Sequence, residues 1–471
     1  MNSELKKKAS FRDFPPTYWV VIVFEFFERG AYYGVMSILS VYLTDMLGFS
    51  KTEVGTIKST IQPLLYFLPI LSGAIADRLG YRKTLMVAFS LLGIGYYLTA
   101  QVTDYLAVFV FLLIMAFGAG TFKPIISGTI AKVTDETNSG LGFGIFYWSI
   151  NLGAFIFPLV VVPWLKSMDW SYVLVMAAII TSLMLIPTLF LYKEPEREKI
   201  DDSQNSIFAI FGDIGKKIGL VFMDWRFMLF IFIYSWFWIL YFQMFDSVLW
   251  YVQQFVDASA LNNFVHSVTG LDWKFDVEHV TVVNAFTIIA LQLFVSSIVK
   301  NTKALPTLIV GISMGTIGMA ILAFSNNIWI FLAGIILFSI GEMTAHPKYI
   351  SYLGLIAPKD KKATYMGFGF LYGFFGSFVG GYLGAWLYVK LVDNPMIAFV
   401  RNSVPSATIS DDIKIPDLIA IAEGAGITKE QVSTHAHTAE LWLLFSGIGV
   451  FCIVGLLLYQ KFIGARESSN F

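Results

Sequence analysis

The chain reads as an all-α polytopic membrane protein, twelve transmembrane helices in two bundles of six. Three observations predict this. Of 471 residues, 56% are hydrophobic and only 14% charged, against about 25% charged in an ordinary soluble domain. The apolar residues gather into runs of roughly 20 or more, the length a helix needs to cross the hydrocarbon. A polar stretch divides those runs six and six. No soluble core absorbs that much apolar surface, so lipid must be the solvent for much of the chain. Aromatics at 17%, with 44 Phe and 12 Trp, suit lipid-facing helices and interfacial belts.

The chain opens on a polar, basic stretch, MNSELKKKASFRDFPP. The apolar run after it is too long for a signal-peptide core and lacks a small-residue cleavage site, so it reads as a retained first helix. The twelve spans fall at about 18–45, 55–76, 83–102, 105–131, 141–164, 171–192, 226–255, 279–299, 304–325, 327–356, 363–391 and 438–460. An amino-terminal bundle therefore occupies 1–192, a cytoplasmic linker 193–225 and a carboxyl-terminal bundle 226–471. The linker holds a candidate amphipathic helix at IFAIFGDIGKKIG. A second polar stretch, 392–437, reads as extracytoplasmic surface helix and loop. His435 and His437 lie close together there; a solvated loop is the reading, and no metal site is expected. The single cysteine, Cys452, excludes an intrachain disulfide. Net charge is −1 with no polybasic block, which argues against a nucleic-acid partner.

Orientation follows from Lys and Arg. With the amino terminus cytoplasmic, 21 basic residues fall inside and 7 outside. The seven are Lys51, Lys58, Lys166, Lys274, Arg401, Lys414 and Lys429. Both termini are therefore expected in the cytoplasm. Arg29, Lys123, Lys348 and Lys390 lie within or at the ends of spans and need a reason to be there.

The loop after the second span runs GAIADRLGYRK, from Gly73 to Lys83. Gly73 allows close helix approach. Asp77 sits at a helix end, where it can bond backbone amides and an arginine across the bundle. Arg78, Arg82 and Lys83 anchor the cytoplasmic face. Any short cytoplasmic loop is basic, but that alone does not predict Gly73, Asp77 and Gly80 at these spacings. The loop resembles the signature of the major facilitator superfamily, which implies a conformational latch built on Gly73, Asp77, Arg78, Gly80 and Arg82.

The first span contains EFFERGAYYG, with three charges mid-span: Glu25, Glu28 and Arg29. Each costs roughly 2.5–3.5 kcal/mol by insertion scales if it faces lipid unpaired. Glu25 and Arg29 are four apart and share a face; Glu28 lies three from Glu25 and four from Tyr32. The stripe must face a partner or a wet cavity. It is either a salt-bridged structural clamp or a functional site.

These residues resemble the ExxERFxYY signature of the proton-dependent oligopeptide transporters, with Glu25, Glu28, Arg29, Tyr32 and Tyr33 in place and Gly30 where that family has Phe. GAGTFKP, carrying Lys123, resembles the family's fourth-helix pattern. FYWSINLG, carrying Asn151, resembles its fifth-helix pattern, and GEMTAHP, carrying Glu342, its tenth. Asn284 matches an eighth-helix asparagine more weakly. In the seventh span, Phe242 stands where the family has a Glu before Gln243. Asp246, one turn later, either takes over or lies solvated near the outer mouth. His346 stands where a small polar residue is usual, on the same face as Glu342. The linker is too short for the two extra membrane helices that many bacterial relatives carry.

The resemblance implies the major facilitator architecture, with the substrate at the midplane between halves that rock. It implies proton-coupled import of di- and tripeptides, in a monomer in the cell membrane, with no cofactor. Proton coupling is expected at Glu25, Glu28, Asp246 and His346. Substrate binding is expected at Arg29, Tyr32, Tyr33, Lys123, Asn151, Asn284 and Glu342. The alternative keeps the fold and changes the cargo to another anionic or zwitterionic solute, or the direction to export. An enzyme is not expected: there is no HExxH, GxSxG or nucleotide loop.

Overall fold

In hydrocarbon no water satisfies the backbone, so each spanning segment must close its own hydrogen bonds. The computed structural model bears this out. It describes residues 11–135, 137–195, 207–358, 361–405, 407, 409–411 and 413–464, and among these no strand occurs. Eleven helices are long and apolar enough to cross a membrane. The helix Pro16–Met36, set apart by its three central charges, supplies the first span.

The second to sixth spans are Lys51–Leu79, Tyr81–Gln101, Tyr105–Val133, Leu141–Lys166 and Ser171–Phe190. The seventh to eleventh are Trp225–Phe255, His279–Val299, Ala304–Ile321, Ile328–Ile356 and Thr364–Ser403, and the helix Thr438–Tyr459 supplies the twelfth. The apolar runs located these spans to within a few residues, with three informative exceptions. The second span starts at Lys51, so Lys51 joins Lys58 in the helix and neither belongs to an outer loop. The seventh breaks between Trp225–Gln243 and Ser247–Phe255, and Asp246 sits in the break. The eleventh runs through a wide turn at Val389–Asp393 into the helix Asn394–Ser403.

The polar stretch 392–437 carries two further short helices, Ile415–Gly424 and Lys429–Ser433. Val400, Leu418, Ala422 and Val432 are all fully buried within it. The stretch is a packed cap and not a bare loop. His435 stacks on Phe399 at 3.7 Å between ring centres, and His437 lies 3.0 Å from Glu440. Among the described residues no His, Cys, Asp or Glu cluster is placed to hold a metal. The linker residues 196–206 lie outside the described residues. The candidate amphipathic helix is a helix, Ile207–Met223.

Contacts group the chain into two compact units. The first comprises Met1–Val35 and Ile61–Trp225. Its first and fifth spans pack backbone to backbone: a Cβ on Gly153 would lie 2.6 Å from the Phe26 carbonyl oxygen. Phe24, Phe89 and Phe122 tie the first, third and fourth spans through ring contacts at 5.2 and 5.4 Å. Between the second and third spans the chain turns on Gly80, whose φ of 102° lies in a region that favours glycine.

The second unit comprises Met36–Thr60 and Arg226–Phe471. Sequence order puts Met36–Thr60 in the amino-terminal bundle, but its packing partners are carboxyl-terminal. A Cβ on Gly55 would lie 2.6 Å from Ala385 Cβ and 2.8 Å from the Gly381 carbonyl. Small residues on both helices let the backbones touch, the usual device where the hydrophobic effect gives no drive between helices.

Candidate functional site

In the first unit the first-span stripe is buried. Glu25, Glu28 and Arg29 are at most 4% exposed. The Arg29 guanidinium binds Glu28 and lies 3.5 Å from Glu25. It also stands over the Tyr32 ring at 5.0 Å, and Tyr32 meets Tyr33 edge to face. Two carboxylates thus share one cation. Glu28 Oε1 is buried with no hydrogen-bond partner among the described residues. Lys123 lies over the Tyr66 ring, 5.2 Å from its centre, and forms no ion pair among the described residues. Asn151 donates its amide back to the Tyr147 carbonyl at 2.9 Å.

Gly30, the departure in this motif, has a structural counterpart. The Phe157 ring of the fifth span lies against it: a Cβ at position 30 would sit 2.3 Å from that ring. An aromatic ring still fills the space, now supplied from the neighbouring helix. The sequence signal was FPL at 157–159, which was not paired with Gly30 when the chain was read alone.

The loop between the second and third spans is assembled around Asp77, which accepts from the Tyr81 hydroxyl at 2.9 Å and lies 3.5 Å from Lys132. The Tyr81 N–H donates to Glu194 at 2.8 Å, and Arg82 donates to the Thr188 carbonyl at 3.0 Å. Arg78 is half-buried. The expected close approach at Gly73 is absent: a Cβ there would meet only Pro124, at an ordinary 3.5 Å.

In the second unit Glu342 accepts from Asn284 at 3.1 Å, and Asn284 also donates to the Ser339 hydroxyl at 2.9 Å. The weakest of the motif matches therefore proves to be the neighbour of the tenth-span carboxylate. His346, one turn on, meets the Tyr234 hydroxyl at 3.4 Å. Around it stand Trp238, Tyr349 and Tyr372, with ring centres 5.6, 6.3 and 5.6 Å away. Gln243 is closed off by bonds to Ile239, Gly380 and Ser247, and Phe242 is buried against Trp238 and Tyr241.

Asp246 is not solvated at an outer mouth. It is 2% exposed, lies 3.0 Å from Lys58 and accepts from the Ser40 hydroxyl at 2.7 Å. Lys58 also donates to the Phe245 carbonyl at 3.3 Å. Two turns back on the same face, Lys51 binds both oxygens of Asp393, at 2.6 and 2.7 Å, and lies over the Trp250 and Tyr388 rings. Counting these two lysines as outer-loop charges missed both pairs. The remaining in-span cations also find partners. Lys348 donates to the Thr302 carbonyl at 2.8 Å, and Lys390 lies 4.8 Å from the Trp386 ring centre.

Known proteins agree with this architecture. A dipeptide and tripeptide permease A of Klebsiella pneumoniae (strain 342) is 30% identical over 184 residues, a stretch covering 38% of this chain and 36% of that protein. The chain thus spans about a third of the length of the curated relatives it matches. A crystal structure of a peptide transporter in complex with sulfate superposes with a TM-score of 0.70 at 19% identity, covering 98% of this chain and 96% of that one. A nucleoside transporter superposes with a TM-score of 0.70 at 15% identity, covering 94% and 99%. At these identities the likeness is one of fold. A sequence model of the Major Facilitator Superfamily matches residues 21–381, which is most of the chain. This multi-pass membrane protein accordingly belongs to the Major Facilitator Superfamily.

Proposed function

We propose that the chain is a proton-coupled symporter that imports di- and tripeptides by alternating access. One observation carries the reading: two buried carboxylates, Glu25 and Glu28, share a single guanidinium, Arg29, on the first span. Within ion-pair distance the set holds one negative charge in excess: Lys123 acts on both carboxylates from farther off and pairs with neither among the described residues. Taking up a proton relieves that excess, and a cationic or protic cargo changes the balance between the two carboxylates. The matched relatives named as dipeptide and tripeptide permeases support the cargo class.

In this reading Arg29 and Lys123 hold the peptide carboxylate, the first as a planar fork and the second as a point charge. Tyr32, Tyr33 and Asn151 add neutral hydrogen bonds. Glu342, held by Asn284, takes the peptide ammonium, and His346 lines the same face. Glu25 and Glu28 carry the coupled proton. Asp77, Arg78, Gly80 and Arg82 form the latch at the cytoplasmic face. Both termini are cytoplasmic, the cap 392–437 is extracytoplasmic, and the protein works as a monomer in the cell membrane.

The test is uptake into proteoliposomes under an imposed pH gradient. Dipeptides, tripeptides, free amino acids, nitrate and a nucleoside are offered separately. Concentrative uptake of peptides, with loss of affinity on esterifying the carboxyl end, is the expected result. Saturable uptake of another solute with no response to peptides overturns the cargo. Flux that never saturates overturns the carrier mechanism itself.

A further inference from the structure

The cap at 392–437 is far longer than an ordinary connection between packed helices, which takes about 2–8 residues. Its backbone is pinned. Arg401 lies 2.6 Å from Asp411 and donates to the Ile409 carbonyl at 3.0 Å. The His437 N–H donates to the Leu391 carbonyl at 2.9 Å, and a capping box joins Thr428 to Gln431. A long connection with its own buried core and fixed ends is a built surface.

Between this cap and the rim of the second unit lies a cavity of about 360 Å³. That is within the roughly 300–1,000 Å³ of small-molecule sites. Its walls are apolar where Phe255, Met396 and Ile419 line it, and charged at Asp45 and Lys429. The Asp45 carboxylate accepts from the Thr44 hydroxyl at 2.8 Å and the Gln253 amide at 2.5 Å. Lys414 donates to its backbone carbonyl at 3.4 Å and the Lys51 charge acts on it at longer range, but among the described residues its carboxylate forms no ion pair. Lys429 is exposed and has no ion pair among the described residues. The two charges line one cavity without neutralising each other. A smaller cavity shares Asp45, Gln254, Ile415 and Pro416 with it and has the Lys51–Asp393 pair in its wall.

We propose that this cavity is a second binding site, separate from the Arg29–Glu342 set, for a small zwitterion with an apolar side chain. Asp45 takes the ammonium, Lys429 the carboxylate, and the Phe255–Met396–Ile419 wall the side chain. A zwitterion gives both charges a direct partner at once; an anion or a cation alone pairs with one and is repelled by the other. The choice of a peptide as the zwitterion rests on the transport reading above, while the two-charge lining does not. On the face assigned to the outside, the site holds cargo next to the ion pair that joins the second and eleventh spans.

The experiment is equilibrium binding of alanylphenylalanine to the full-length protein in detergent, scored as molecules bound per chain. The wild type is expected to bind two, and the double variant Asp45→Asn, Lys429→Gln to bind one in the same concentration range. Singly, Asp45→Asn should weaken the second site about tenfold, and Lys429→Gln, on an exposed rim, about threefold. The Arg29→Ala, Glu342→Gln variant should keep one site, which the Asp45 and Lys429 changes then remove. One site in the wild type that is indifferent to Asp45 and Lys429 overturns the inference and leaves the transport site standing. One site that is indifferent to Arg29 and Glu342 but lost with Asp45 and Lys429 does the reverse. No binding at all overturns the inference, and thermal unfolding of each variant distinguishes a lost site from a lost fold.

Discussion

The charges buried in the first span and those buried at the start of the second answer the same problem in opposite ways. Lys51 meets one carboxylate, and both oxygens of Asp393 are bound to it. Two aromatic faces complete the shell. The pair is one to one and closed. In the first span, two carboxylates divide one arginine at contact distance, with Lys123 acting on them only from farther off, and among the described residues one Glu28 oxygen has no hydrogen-bond partner. Lys58–Asp246 falls between them: one Asp246 oxygen takes Lys58 and Ser40, while the other has no hydrogen-bond partner among the described residues. Burying charge costs several kcal/mol per ion in real proteins. A closed pair offsets much of that and gains nothing by changing protonation. An unbalanced set stays costly and is relieved by a proton or a ligand. Balance, more than burial, separates a clamp from a working site.

The sharpest way to break the comparison is to neutralise each set in turn. Glu28→Gln, and separately Glu25→Gln, should cut gradient-driven accumulation by about a hundredfold or more, the scale of a proton-transfer group. Counterflow exchange of substrate should survive in part, and thermal stability should move little, because the change removes excess charge. Full pH-driven accumulation by both single variants would show that the proton rides elsewhere. Asp246→Asn then becomes the next variant to assay, since among the described residues its second oxygen shares with Glu28 Oε1 the lack of a hydrogen-bond partner.

The closed pair should respond in the opposite sense. Asp393→Ala leaves Lys51 buried without its partner, which costs about 3–5 kcal/mol. Lys51→Met with Asp393→Leu should recover most of that, because an apolar pair of similar volume needs no desolvation. Thermal unfolding in detergent reads both, and the pH profile of transport by the double variant should match the wild type. A profile that shifts would place this pair among the coupling groups and erase the distinction drawn here.

Glu342 extends the comparison to the second unit. It has a neutral partner, Asn284, and no Lys or Arg on its own helix within one turn. A buried charge-assisted hydrogen bond contributes about 1.5–3 kcal/mol, or roughly tenfold to a hundredfold in affinity. N-acetylating a dipeptide should therefore hurt the wild type by that factor and Glu342→Gln far less. Equal penalties in both backgrounds would move the ammonium away from Glu342.

What the sequence disclosed depended on the distance between the partners. The first-span stripe was legible because Glu25, Glu28, Arg29 and Tyr32 lie within two turns, so helical periodicity alone puts them together. The spans were legible for the same reason, since hydropathy is local. Lys51–Asp393 was not, because its members are 342 residues apart and each alone looks like a loop charge. Lys58 lies in the first turns of the second span as read from hydropathy, yet was counted with the outer charges; Lys51 precedes that span and shows that the helix begins four residues earlier. The cap was half legible: its composition announced surface helices, but its buried Val400, Leu418 and Val432 are too widely spaced to declare a core.

The smallest expected effect tests whether a departure from a motif can be compensated from another helix. Gly30 stands where the resembled signature has a phenylalanine, and the Phe157 ring lies where a side chain at position 30 would go. Phe157 also meets Phe26 and Phe27 edge to face, at 5.9 and 6.3 Å, so it packs into the same layer as the first-span charges. Gly30→Phe alone places two rings in one space, and overpacking of this kind costs about 1–3 kcal/mol. Phe157→Ala alone opens a cavity beside Arg29, which for a well-packed ring costs about 3–5 kcal/mol and less where lipid or neighbouring rings close in. The double variant Gly30→Phe, Phe157→Ala restores one ring to one space. Its stability should exceed the sum of the single losses by about 1–2 kcal/mol, within the coupling range of residues in direct contact. The reading is a thermal-shift cycle over four proteins, and strict additivity would mean that the ring at 157 does not stand in for the one missing at 30. Uptake by the double variant carries the second half of the test. The ring's role is to fill space beside the Glu25–Arg29 stripe, so exchanging its source should leave proton coupling intact while altering the apparent KM by no more than a few-fold.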